Sequence, residues 1–201
     1  WEPRNYDGKF RGDVTLIDAL SDSLNSVAVR LSETIGREKV IAMAQRLGIT
    51  TPLKSHPSLA LGVNEVTLLE LTSAYAVLAN QGLNAWPYGI TEIRDTQGSI
   101  LYRRVGSVGR LLETQVVDRM VTMLRKTVVS GTGRAAQISR RAAGKTGTSQ
   151  DFRDAWFLGF ADGLTTGVWV GNDQGRPTKR LTGGSIPAKI WRDLMKEGAS
   201  R

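Results

Sequence analysis

The chain has 201 residues, 40% hydrophobic and 23% charged, with 27 Lys and Arg against 19 Asp and Glu, one His and no Cys. That length suffices for one substantial core or two small ones, in a composition ordinary for a globular domain. Without cysteines there are no disulfides, thiolate metal sites or Cys nucleophile; one His argues against a His-rich metal centre, and no run of about 18 apolar residues offers a membrane span.

A net charge of +8 and a pI near 10.1 favour anionic partners. The basic residues are scattered, however, in pairs such as Arg103-Arg104, Arg140-Arg141 and Lys179-Arg180. No basic helix is interleaved with aromatics, and there is no zinc-finger or RNA-recognition pattern. They read as a solvated basic surface, and no nucleic acid partner is expected.

Trp1 to Asp13 is polar and rich in turn formers, and its Trp and Tyr need something to pack on. Such an opening reads as a chain cut inside a larger unit. Thr15 to Asp18 has a capping spacing that opens a helix with Leu16, Ile17 and Leu20 on its apolar side. That helix breaks at Ser23-Leu24-Asn25. A second follows to Gly36, with Val27, Leu31 and Ile35 on one face, and a third to Gly48, with Val40, Ile41, Ala44 and Leu47 at helical spacing. Ser23 and Asn25 therefore sit at a helix junction, where side chains can point into a cleft.

A loop with His56-Pro57 leads to a second capping box at Thr67–Glu70 and a helix to Gly82 built on Leu68, Leu71, Thr72, Tyr75, Leu78 and Ala79. Gly89 to Tyr102 reads as two short strands around the turn Asp95–Gly98. Glu113 to Val129 returns to helix and Ser130-Gly131-Thr132-Gly133 stops it. From Gly144 strands dominate: Trp156, Leu158 and Phe160 alternate with Phe157, Gly159 and Ala161, Asp162-Gly163 marks a hairpin, and Val168 to Val170 continue. A last helix is expected to pack on the sheet through Ile186, Ile190, Trp191, Leu194 and Met195. This order argues for an α+β architecture rather than regular βαβ winding.

Three motif matches fail on context. Gly144-Lys145-Thr146 resembles the end of a phosphate-binding loop, but Ser139 stands where its first glycine belongs and no apolar helix follows. Gly131 to Ala136 fits a dinucleotide fingerprint but follows a helical pattern, not a strand. His56, before a proline in a loop, reads as surface structure rather than a triad member.

One segment concentrates chemistry. Lys145-Thr146-Gly147-Thr148 puts a cation, two hydroxyls and a glycine into four residues, preceded by small residues. It suits an anion held against a sheet edge. Together with Ser23-Leu24-Asn25 it resembles two of the three motifs of penicillin-binding proteins and serine β-lactamases, the Ser-x-Asn and Lys-Thr-Gly elements. Wider stretches resemble the class A, bifunctional penicillin-binding proteins, in that family's order: WEPRNYDGKFRGDVTLIDAL, SLNSVAVRL, NEVTLLELTSAYAVLANQG, VVSGTGRAA, GKTGTSQDFRDAWFLGF and TGGSIPAKIW. The third motif, Ser-x-x-Lys, is absent; Ser185 to Lys189 has one residue too many.

The resemblance implies the C-terminal part of a penicillin-binding-protein/β-lactamase-like transpeptidase domain, with an antiparallel sheet flanked by helices and a helical subdomain. Residues 1–201 would be a partial transpeptidase domain whose nucleophile lies upstream. The implied reaction is acyl transfer from D-Ala-D-Ala peptidoglycan stem peptides, with β-lactams as mimics and no cofactor or metal. By the same resemblance, Lys145 holds Ser23 and sets the potential, Ser23 relays protons, and Asn25 anchors the substrate amide. Thr146 and Thr148 bind the terminal carboxylate, Gly147 clears room for the substrate backbone, and the Thr148 N–H forms half of the oxyanion hole. The family further implies an upstream glycosyltransferase domain, a membrane anchor outside this chain, and a site of action on the extracytoplasmic side of the inner membrane. A degenerate, non-catalytic binding module is the alternative.

Overall fold

The computed structural model describes residues 1–138 and 141–198. Ser139 of the failed phosphate-loop match and Arg140 of the basic pair lie outside them. Three helices open the chain: α1 (Leu16–Ser21), α2 (Asn25–Ile35) and α3 (Arg37–Arg46). Thr15 caps α1 by accepting from the Asp18 N–H at 3.3 Å. Gly36, at φ 96°, ends α2 and starts α3, a backbone state that favours glycine.

α4 (Leu68–Ala79) begins with a complete capping box. Its Glu70 carboxylate accepts six hydrogen bonds, from the N–H and hydroxyl groups of Thr50, Thr51 and Thr67, at 2.6–3.0 Å. This donor shell, led by the Thr50 hydroxyl, holds the carboxyl well below the usual range. It also ties the loop after α3 to the start of α4.

β1 (Glu92–Arg94) and β2 (Ile100–Arg103) form a separate antiparallel pair. α5 (Thr114–Val129) follows. Then come β3 (Ala143–Thr148), β4 (Asp154–Ala161) and β5 (Leu164–Gly171), an antiparallel sheet in the order β3-β4-β5, and α6 (Ile186–Gly198). The expected hairpin at Asp162-Gly163 joins β4 and β5, both residues at positive φ.

Alternation along β4 divides the interior. Phe157 and Ala161 join Val128, Ala136, Ala142, Ala188, Trp191 and Met195 in one core; Phe160 joins Ala143 and Leu124 in another, under Tyr75, Leu78 and Met120. Trp191 is fully buried, its ring centroid 5.2 Å from that of Phe157, and its indole N–H donates to the carbonyls of Gly159 and Thr166. A Cβ at Gly144 would come within 2.7 Å of the Leu158 carbonyl and of the Phe157 ring. The small residue before Lys145 is thus required by the core.

Helix faces depart from the sequence expectation. α2 buries Val29 and Ser32, whereas Leu31 and Ile35 are exposed. In α1 Leu16 is exposed and Ala19 is buried. α6 seats Pro187, Ala188, Trp191 and Met195, leaving Ile186, Ile190 and Leu194 outside. Leu31, Ile186, Ile190 and Leu194 each lie one position from a buried residue. One position is about 100° around a helix, enough to turn a side chain from core to surface.

Candidate active site

Ser23 lies in the turn between α1 and α2 with φ 56°, in the left-handed region. For a residue with a Cβ this costs on the order of 1–2 kcal/mol. The turn is held by its surroundings: Ser23 N–H donates to the Leu20 carbonyl at 3.2 Å, Leu24 N–H to the Ala19 carbonyl at 2.9 Å, and Leu24 is buried. The outcome is a hydroxyl aimed at β3. Lys145 Nζ donates to Ser23 Oγ at 2.7 Å, across 122 positions of sequence. The same ammonium donates to the Thr146 carbonyl at 2.9 Å.

Lys145 keeps part of its residue surface, yet its ammonium is removed from water. That desolvation lowers its pKa from 10.5 to about 8. At neutral pH it is mostly charged, and it lies closer to releasing its proton than a solvated lysine. Because Ser23 Oγ accepts from Lys145, its own O–H remains free to donate. The pair is built to pass a proton and to present positive charge.

Leu24 occupies the N-cap position of α2 and supplies no side-chain cap. Neither Ser23 nor Asn25 is spent on capping. The opening loop does it instead: Asn5, 5% exposed, accepts from Ser26 N–H at 3.1 Å and from the Ser26 hydroxyl at 3.2 Å, and donates to the Lys9 carbonyl at 2.7 Å. Next to it, the Arg4 carbonyl accepts from Asn25 Nδ2 at 2.8 Å. Two adjacent loop residues thus fix the first turn of α2. Asn25 makes no hydrogen bond to Ser23 or Lys145 among the described residues.

β3 is an edge strand, so its outer backbone edge has no strand partner among the described residues. On it, the Thr146 and Thr132 hydroxyls share a hydrogen bond at 2.7 Å. Thr148 Oγ1 accepts from Gly183 N–H at 3.1 Å, which leaves its O–H to donate. At Gly147 the close approach comes from the chain itself: a Cβ on Gly183 would lie 2.5 Å from the Gly147 carbonyl oxygen and 2.8 Å from its nitrogen. Ser130–Gly133 is more than a helix stop. Thr132 N–H donates to the Ser21 carbonyl at 3.1 Å, and a Cβ on Gly131 would overlap Ser21.

Beside Ser23 opens a cleft of about 400 Å³, lined among others by Tyr6, Asp7, Asp22, Gly131 and Thr132. The structure therefore places Ser23 and Thr132 on one opening, with Lys145 hydrogen-bonded to Ser23 and Thr146 to Thr132 behind them. Sequence reading missed Asn5 and Gly183. Asn5 sits in a turn-rich loop where an asparagine needs no distant partner; the only signal for Gly183 was a glycine pair before the last helix. The failed matches stay failed. Gly144–Thr146 is strand rather than phosphate loop, Gly131–Ala136 follows a helix, and His56 is exposed. No cluster of His, Asp or Glu that could hold a metal ion occurs among the described residues.

Residues 1–196 match the family described as the penicillin binding protein transpeptidase domain. The chain is 43% identical over 198 residues to penicillin-binding protein 1A of Aquifex aeolicus, covering 98% of this chain and 27% of that protein. It is 36% identical over 200 residues to penicillin-binding protein 1B of Vibrio cholerae, covering 98% of this chain and 26% of that one. The chain thus spans about a quarter of the length of these curated relatives. Its fold is similar to the crystal structure of penicillin-binding protein 1A from Haemophilus influenzae, with TM-score 0.89, 25% identity, and 100% of this chain against 36% of that one. It also resembles the PonA1 protein of Mycobacterium tuberculosis, solved in complex with penicillin V, with TM-score 0.87, 23% identity and coverage of 97% and 59%.

Proposed function

The chain belongs to the penicillin binding protein transpeptidase domain family, and on that premise we propose that it forms the Ser-x-Asn and Lys-Thr-Gly walls of a serine-type peptidoglycan D,D-transpeptidase of the class A kind. The observation that carries the proposal is the Lys145 Nζ to Ser23 Oγ hydrogen bond of 2.7 Å. It joins the two motifs across a cleft, in a turn strained to aim the hydroxyl there.

In the proposed reaction a serine outside these 201 residues, in a Ser-x-x-Lys segment, attacks the carbonyl carbon of the penultimate D-Ala. The C–N bond to the terminal D-Ala breaks, and that amine leaves with a proton. Ser23, held by Lys145, supplies it and is reprotonated by the proton that the attacking serine gives up. An amine of a neighbouring stem then attacks the ester carbonyl and loses its proton to the same relay, which returns it to the serine oxygen as the C–O bond breaks and the serine is released. Thr146 and Thr148 hold the terminal carboxylate, and the positive charge of Lys145 favours it there. The open edge of β3 lets the stem lie as an added strand. The Thr148 N–H and the absent serine's N–H would form the oxyanion hole, where one donor is typically worth about 2.7–4 kcal/mol. Asn25, with Nδ2 oriented by Arg4, faces the acyl side of the substrate. The whole protein, with its glycosyltransferase domain and membrane anchor elsewhere, would act on the extracytoplasmic side of the inner membrane.

The test compares the 201-residue chain with the whole protein that carries it, each treated with a fluorescent penicillin and read by denaturing gel. Covalent label on the whole protein and none on the chain is expected. Label on the chain itself would overturn the external nucleophile. No label on the whole protein would favour a non-catalytic binding module.

A further inference from the structure

Thr132 does three things at once. Its N–H donates to the Ser21 carbonyl at 3.1 Å, tying the turn after α5 to the end of α1, two residues before Ser23. Its hydroxyl lies 2.7 Å from that of Thr146 on β3. It is exposed and lines the same cleft as Ser23. Gly184 packs close on the Thr132 carbonyl, and a Cβ there would stand 3.8 Å from Thr146 Cγ2. The methyl of Thr146 is thus turned toward the Gly184 loop and its hydroxyl toward Thr132. As a β-branched residue on a strand, Thr146 has few other settings.

From this placement we infer that Thr132 is a further ligand-binding residue, whose hydroxyl pairs with that of Thr146 to form a two-pronged donor for the substrate's carboxylate. The inference rests on the reading of the cleft proposed above. Each hydroxyl has one O–H to donate. The hydrogen bond between the two threonines uses one of those protons. When an anion arrives, that internal bond is exchanged for a second bond to it, and the charge makes both strong. The Lys145 ammonium, bound to the Thr146 carbonyl, supplies positive charge alongside. The two oxygens are supported from different elements, the turn after α5 and the strand β3, so their spacing is set by how that turn packs on β3 before the ligand binds.

The experiment uses the whole transpeptidase carrying this chain, with Thr132→Val and Thr132→Ser variants. The probes are a fluorescent penicillin with its carboxylate free and the same compound with that group converted to the primary carboxamide. The readout is the ratio of second-order acylation rates, carboxylate over carboxamide. Thr132→Val should lower that ratio about tenfold, the loss of one charge-assisted hydrogen bond; Thr132→Ser should restore most of it. A residue with only a packing role would slow both probes alike and leave the ratio unchanged, which would overturn the proposal, as would a Thr132→Ser ratio no better than that of Thr132→Val. Failure of the wild-type protein to acylate at all would instead sink the functional reading beneath it, and the two failures are told apart by that control.

Discussion

Raising the pH from about 7 to 11 is expected to stabilise the folded chain through Lys145. Burial lowers its pKa to about 8, against 10.5 for an unburied lysine. Below pH 8 the folded and unfolded states both hold the proton, and the fold bears the full cost of an enclosed ammonium. Between about 8 and 10.5 the folded state has released the proton and the unfolded chain has not. The unfolded state then binds more protons, so the free energy of unfolding rises with pH. At about 1.4 kcal/mol per pH unit, the gap amounts to about 3 kcal/mol by the time pH passes 10.5. Lys145→Met keeps a long apolar stem and removes the titration. Urea unfolding of both proteins at steps across this range gives the difference curve, in which the other lysines and the tyrosines cancel. The wild type should gain about 3 kcal/mol on the variant between pH 8 and 10.5. A flat difference would show that Lys145 titrates as a solvated lysine and that its enclosure beside Ser23 is wrong.

Two further outcomes follow from particular contacts. Glu70→Gln replaces one acceptor oxygen with an amide NH₂ facing up to three of the donors on Thr50, Thr51 and Thr67, and should cost on the order of 2 kcal/mol at pH 7. Because the folded carboxyl is depressed, its stabilisation is present above the ordinary carboxylate pKa and lost as pH falls below it; denaturation midpoints equal at pH 7 would refute the clamp. Gly183→Ala places a Cβ against the backbone of Gly147 and Trp156, so the 183–184 loop must move off β3; a thermal midpoint within a degree of wild type would refute that close approach.

Much of the architecture could be read along the chain because its causes are local. The capping box at Thr67–Glu70, the Asp162-Gly163 hairpin and the period-2 run of β4 appear where their spacing put them. Helix faces were less legible. α2 and α6 carry apolar residues around more than one side, and a periodic pattern cannot say which stripe meets the sheet. Trp191 with Met195 settles the matter in α6 by filling the space under β4 and β5, a fact of volume rather than of spacing.

The site divides in the same way. By itself the sequence determined that Lys145 to Thr148 is a strand of cation and hydroxyls, that Ser23 and Asn25 sit at a helix break, and that both belong with penicillin-binding proteins. Only the tertiary structure decided that Lys145 meets Ser23 at 2.7 Å, that Asn5 caps α2 from 21 residues away, and that Thr132 stands beside Thr146. The reason is physical. Chemical character and local backbone preference are carried by each residue and its near neighbours. A desolvated ammonium, a cap supplied from another loop and a shared hydroxyl pair exist only once distant segments have been packed together.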